Sequence, residues 1–163
     1  MHASWSTEGP RSTSAVADYQ DLIPVYDALP DELRRKLEGR EAYNAYEFGT
    51  MLKTKERYDA PETRTAVHPV FKPHTETGRP SLYVNELMTE SIIGLPEEES
   101  RAVLDELFAL QREERFLYEH VWQLGDLVMW DNRCTLHART DFPRGQRRLL
   151  RRITVEDAAS TAQ

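Results

Sequence analysis

Cysteine is nearly absent. Cys134 is the only one among 163 residues, which excludes an internal disulfide and a zinc site built from cysteines. No apolar run reaches the length of a membrane span, and Met1–Pro10 carries no apolar core of the signal-peptide kind. With the lone thiol, this reads as a cytoplasmic protein with no membrane contact. Positive charge is also scarce: 21 Lys and Arg stand against 28 Asp and Glu, a formal net charge of −7. A general nucleic-acid binder would show a basic face, so that class is excluded. The arginines gather late in the chain instead, where their local field opposes the global sign and suits a small bound anion.

A 39% hydrophobic content supports a packed core, although 30% charged residues leave long solvated stretches. Residues 1–17, rich in Ser, Thr, Gly and Pro, read as a poorly ordered segment, and 157–163 as a flexible tail. Between them, 18–156 reads as one domain. Pro30–Leu37 has acids first, bases last and Leu29, Leu33 and Leu37 on one stripe, which predicts a short amphipathic helix closed at Gly39. Ala42–Phe48 is strand-like. His68–Lys72 and Ser81–Asn85 flank a polar turn, which predicts a hairpin. Pro96 and three glutamates open the clearest helix, with Val103, Leu104, Leu107, Phe108 and Leu110 on its apolar side. Phe116–Trp122, Asp126–Trp130 and Gln146–Val155 complete the strands. Short strands with few helices imply a sheet-based, mainly β, α+β domain.

Chemistry concentrates near the end. Gly125–Trp130 is an apolar strand, Asp131–Thr135 a polar turn, and His137 follows; Arg147, Arg148, Arg151 and Arg152 lie on the next strand. A neutral imidazole can ligate a divalent metal, and a guanidinium can hold a carboxylate through two parallel hydrogen bonds. Positions 148 and 152 differ by an even number, so an unbulged strand carries both on one face. The plainer alternatives stay open: a structural histidine hydrogen-bonded to backbone, and an arginine-rich sheet edge that discourages aggregation. His120, with Tyr118 and Trp122 on the same strand face, reads as a core or sheet-face residue.

The run Gly125–His137 followed by Gln146–Arg152 resembles the C-terminal motif of the taurine/2,4-dichlorophenoxyacetate dioxygenase family. Tyr26–Pro30, His68–Val70 and Gly78–Asn85 resemble family stretches in the same order. The resemblance implies a double-stranded β-helix (jelly-roll) core with flanking helices, here partial. It also implies an iron(II)- and 2-oxoglutarate-dependent oxidoreductase using dioxygen to hydroxylate a small, anionic organic substrate. His137 then corresponds to the distal histidine of a 2-His-1-carboxylate iron triad. Arg148 corresponds to the arginine that pairs with the far carboxylate of 2-oxoglutarate, and Arg152 to one beside the substrate's anionic group. Trp130 is implied to pack beside the metal, or is a core tryptophan. Asn85 lines the substrate side, or caps a turn.

The departures shape the expectation further. The family's other two iron ligands form a His-x-Asp or His-x-Glu motif upstream, and no such motif precedes Tyr26; His2–Ala3–Ser4 has serine in place of the carboxylate. The family's Gly-Gly-Asp-Thr stretch is likewise not found before Asp18. The chain is therefore expected to be the C-terminal portion of such an enzyme, truncated before the iron motif. The alternative is a catalytically inactive remnant that binds a small anion or docks on a partner. Family members vary in assembly, which leaves a homo-oligomer open.

Overall fold

The computed structural model describes residues 2–6, 16–46, 64–139 and 150–155. The described residues form eleven strands and three helices, with every strand pair antiparallel. The expected mainly β, α+β class is what is seen. The chain divides into two compact units, one made of Met1–Asp21 with Leu117–Gln163, the other of Leu22–Phe116.

The second unit is built on α1 (Leu22–Asp27), α2 (Asp31–Leu37), β3 (Glu41–Tyr46), β4 (Arg64–Pro69), β5 (Phe71–Pro73), β6 (Pro80–Leu82), β7 (Thr89–Ile92) and α3 (Glu97–Gln111). In α2, Asp31 and Glu32 occupy the first turn and Arg34–Lys36 the last, a distribution the helix dipole favours. Leu29, Leu33 and Leu37 are all buried, as the stripe predicts, and Gly39 at φ 69° takes the left-handed turn that ends the helix. α3 buries Val103, Leu104, Leu107 and Phe108, with Leu110 half-buried against the same cluster. Two polar residues on that face fix its seat. Ser100 Oγ accepts from Ile92 N at 2.8 Å, and Gln111 Nε2 donates to Val84 O at 2.7 Å.

The predicted hairpin forms over a shorter span. β5 pairs with β6, Phe71 opposite Leu82, whereas His68 and Pro69 belong to β4, which pairs with β3 as Ala42 opposite His68. The switch occurs at Val70, fully buried, whose N–H donates to Arg40 O and whose carbonyl accepts from Tyr83 N. One buried residue thus serves two sheets, which strand periodicity alone does not encode.

The first unit holds two three-stranded sheets. One has the order β11 (Leu150–Thr154), β1 (His2–Ser6), β9 (Leu127–Trp130); the other has β10 (Thr135–Arg139), β2 (Val16–Asp21), β8 (Leu117–Val121). His2–Ser6 lies between β9 and β11 and pairs with both along its backbone. Residues 7–15 and the tail 157–163 lie outside the described residues. The turn at Gln123–Gly125, with Gly125 at φ 91°, carries the chain from β8 in one sheet to β9 in the other. Ala17, Tyr19, Trp122 and Trp130 form the core of this unit, with Val128 and Leu150 packed against it.

Candidate functional site

Strand register decides which residues share a face, because directly paired residues in an antiparallel sheet point the same way. Trp130 is buried and reaches from its own sheet to the other. Its ring lies 5.0 Å from Tyr19 and 5.0 Å from His137, centroid to centroid. The faces of the two sheets that carry these residues therefore look at each other.

His137 lies within β10, which follows directly on the polar turn after Trp130. It pairs with Tyr19 on β2, which in turn pairs with Tyr118 on β8. His137, Tyr19 and Tyr118 thus form a row across the inner face. The imidazole is exposed while Tyr19 and Trp130 are buried. An accessible imidazole held against two buried aromatic rings has its orientation set by packing while its edge can meet a ligand.

Arg152 pairs with Ser4, and Ser4 pairs with Val128. Arg152 is therefore on the face of β11 that also carries Leu150, the face that packs on the core. Its side chain is exposed, as is that of Arg151 on the opposite face. His137 and Arg152 thus sit on the inner faces of facing sheets, two strand widths or about 10 Å across the sheet from Trp130 for the arginine. Arg148 lies outside the described residues. Asn85 sits in the second unit and its amide oxygen accepts from Met88 N at 2.9 Å, while its backbone pairs with Thr89. This is the turn-capping arrangement. His120 takes the sheet-face role, 3.1 Å from Asp126.

The connection between Trp130 and His137 is fixed by Asp131 and Arg133, residues the sequence reading passed over. Asp131 Oδ1 accepts from the Arg133 backbone N and from its Nε, both at 2.9 Å, and Arg133 Nη2 bonds the second oxygen. Cys134 follows, buried, its amide donating to Asp131 O. Burial, then the charges of Asp131 and Asp21, push its thiol above the ordinary value of 9.0. Tyr19 was also missed. Its only signal in the sequence is the spacing of two from Ala17, another buried apolar residue of β2.

A facial iron centre needs two histidines and a carboxylate. Among the described residues, no group of three ligating side chains within reach of one another includes His137. The Asp131 carboxylate next in sequence is taken up by Arg133. The described donors therefore do not fit a complete iron site; what they offer is one imidazole in a set orientation and a cationic side chain on the facing sheet.

Residues 18–154 match the family described as "Taurine catabolism dioxygenase TauD, TfdA family". Pentalenolactone F synthase of Streptomyces avermitilis is 34% identical over 163 aligned residues, covering 91% of this chain and 53% of that protein. The alpha-ketoglutarate-dependent 2,4-dichlorophenoxyacetate dioxygenase of Cupriavidus pinatubonensis is 36% identical over 146 residues, covering 87% and 50%. A crystal structure of a taurine dioxygenase from Burkholderia xenovorans superposes with a TM-score of 0.78 at 27% identity, covering 93% of this chain and 50% of that one. The chain spans about half the length of the curated relatives it matches.

Proposed function

The chain belongs to the taurine catabolism dioxygenase TauD, TfdA family, and we propose that it supplies the distal-histidine portion of an iron(II)- and 2-oxoglutarate-dependent oxygenase. The substrate class is a small anionic organic molecule, and dioxygen is the gaseous co-reactant. The whole activity belongs to a protein carrying the remaining length that the relatives have, and the two further iron ligands come from outside the described residues. The compartment is the cytoplasm.

The observation that supports this reading best is His137, accessible on an inner sheet face and packed at 5.0 Å on buried Trp130. Arg152, on the inner face of the opposing sheet, is the group for the substrate's charge. Arg148, four residues earlier, is assigned the far carboxylate of 2-oxoglutarate, where a planar fork gives two charge-assisted hydrogen bonds. These side chains hold and orient anions; when bound, the metal supplies the oxidising chemistry. Two facing antiparallel sheets support a double-stranded β-helix as the core they belong to.

A second reading, a catalytically silent module that docks on another chain, draws on one specific feature. Leu127 and Met129 of β9, with Ile153 of β11 and Val155 just beyond it, are each more than half exposed. Titrating the full-length protein with iron(II) under argon, then with 2-oxoglutarate, separates the two. Stoichiometric metal uptake and a visible absorption band that grows with 2-oxoglutarate support the oxygenase. No metal uptake by the full-length protein overturns it and leaves the docking module.

A further inference from the structure

We propose that Tyr118 is an activated nucleophile whose hydroxyl is a site of covalent acylation by activated esters and thioesters. Asp126, His120 and Tyr118 are joined in line at β8 and the turn that follows it. Asp126 Oδ2 accepts from Gln123 N at 2.8 Å, which holds the carboxylate across the turn. The same oxygen lies 3.1 Å from His120 Nε2, and His120 Nδ1 lies 3.4 Å from Tyr118 Oη. A carboxylate only accepts, so Nε2 carries the ring proton and Nδ1 the lone pair that faces the phenol. Trp122 sets against the imidazole edge to face, with centroids 4.7 Å apart and planes at 87°, which fixes the ring between its two partners. An acid, an imidazole and a hydroxyl in this order convert the hydroxyl into a nucleophile.

Exposure follows the same order. The His120 side chain is 16% exposed and that of Asp126 32%, whereas Tyr118 is 60% exposed. A reagent in solution therefore reaches the hydroxyl while the base behind it stays sheltered. Among the described tyrosines Tyr118 alone is exposed. Half-buried Tyr83 also meets a histidine, His68, but only as ring edge against ring face, with planes at 90°. In the acylation step the Tyr118 O–H proton passes to His120 Nδ1 as Oη bonds the acyl carbon. The bond from that carbon to the leaving oxygen or sulfur breaks, and the leaving group takes the proton from the imidazolium and departs as an alcohol or a thiol. Asp126 stabilises the imidazolium in between. The product is an O-acyl tyrosine at the exposed end of the row that Tyr118, Tyr19 and His137 form. His120 has then lost its hydroxyl donor.

Incubating the 163-residue chain with para-nitrophenyl acetate, then digesting it for mass spectrometry, reads the acetylation rate at each tyrosine. Tyr118 is expected to take up acetyl roughly tenfold faster than Tyr83, the internal control. Asp126→Asn keeps an acceptor for Gln123 N but removes the charge that orients and stabilises His120; His120→Gln removes the base. Each should slow acetylation of Tyr118 by about tenfold or more and leave Tyr83 unchanged, with circular dichroism as the check on folding. Greater exposure alone would leave Tyr118 equally fast in both variants. If His120→Gln does not fold, Asp126→Asn carries the comparison. Acetylation no faster at Tyr118 than at Tyr83, or a Tyr118 rate unchanged by Asp126→Asn, overturns the proposal.

Discussion

Trp130 and His137 belong to different sheets, yet their rings lie 5.0 Å apart with planes inclined by 50°. The seven-residue path between them passes through a turn clamped by Asp131 and Arg133, so contact and turn support each other. Removing the indole deletes a side chain that bridges both inner faces. Trp130→Ala should cost about 3–5 kcal/mol, the usual range for losing a buried tryptophan, and Trp130→Phe markedly less. Urea unfolding followed by circular dichroism measures both. Equal stability of the alanine variant and the parent would show that the bridge holds nothing.

The turn itself offers a second test. Asp131 and Arg133 side chains are both about four-fifths covered, at 22% and 23% exposure. Arg133→Ala removes the bonds from Nε and Nη2 to the carboxylate, leaves the backbone N–H bond in place, and should destabilise by about 1–3 kcal/mol. Pairing it with Asp131→Asn should recover part of the loss, because the stranded charge is then gone. A double-mutant cycle in thermal melts gives the coupling, and strict additivity would argue against the clamp.

The two arginines should separate by ligand. In the full-length protein, Arg148→Ala is expected to weaken 2-oxoglutarate binding and Arg152→Ala to raise KM for the anionic substrate while sparing 2-oxoglutarate. A hydrogen bond to a charged group is worth about 1.5–3 kcal/mol, which corresponds to roughly ten- to hundredfold in each constant. Titration calorimetry and steady-state kinetics report them independently. Unchanged keto-acid affinity in the Arg148 variant would remove that assignment.

Cys134 gives a pH dependence with a defined sign. Its thiol titrates above 9.0 in the folded chain, chiefly through burial and then through Asp131 and Asp21. The neutral thiol is thus favoured by folding, so its contribution is fully present below pH 9.0 and is lost as pH climbs through the higher folded value. Cys134→Ala should flatten the fall in stability above pH 9.0, while its effect near neutrality reflects packing alone. Urea midpoints measured across alkaline pH for both proteins check this; parallel curves would contradict it.

In the second unit, Leu107 is fully buried in the cluster that joins α3 to the sheets. Leu107→Ala should cost about 2–5 kcal/mol, with urea unfolding as the measurement. A Leu110→Ala control on the same helix is expected to cost much less, since that side chain is only half-buried.

Helices were legible because their signals are local. The 29–33–37 stripe and the Val103–Phe108 face each lie within a few turns, and the acids and bases sit at the matching ends. Strand partnership was less legible, because it depends on residues far away in sequence. Nothing in His68–Pro69–Val70 announces that pairing changes between its second and third residues. β10 was missed because Cys134–Thr135–Leu136–His137 has no alternation strong enough to distinguish a strand from a turn. Of the candidate site, residue type and spacing singled out His137 and Arg152 in the sequence. Tyr19 could not be singled out, because its role comes from lying opposite His137 across a ladder that joins residues more than a hundred positions apart. The even spacing of Arg148 and Arg152 is now tied at one end only, by the register of Arg152 with Ser4 and Val128.

Val70 makes a difference to how this sequence can change over time. A loop such as 74–79 can lengthen at little cost in closure entropy. One residue inserted beside Val70 would invert the pleat of everything that follows it on β5, turning inward faces outward. Both of its backbone partners, Arg40 and Tyr83, would lose their match at once. Length variation among related chains should therefore collect in the loop and avoid this position, making Val70 a fixed point about which the hairpin can diversify.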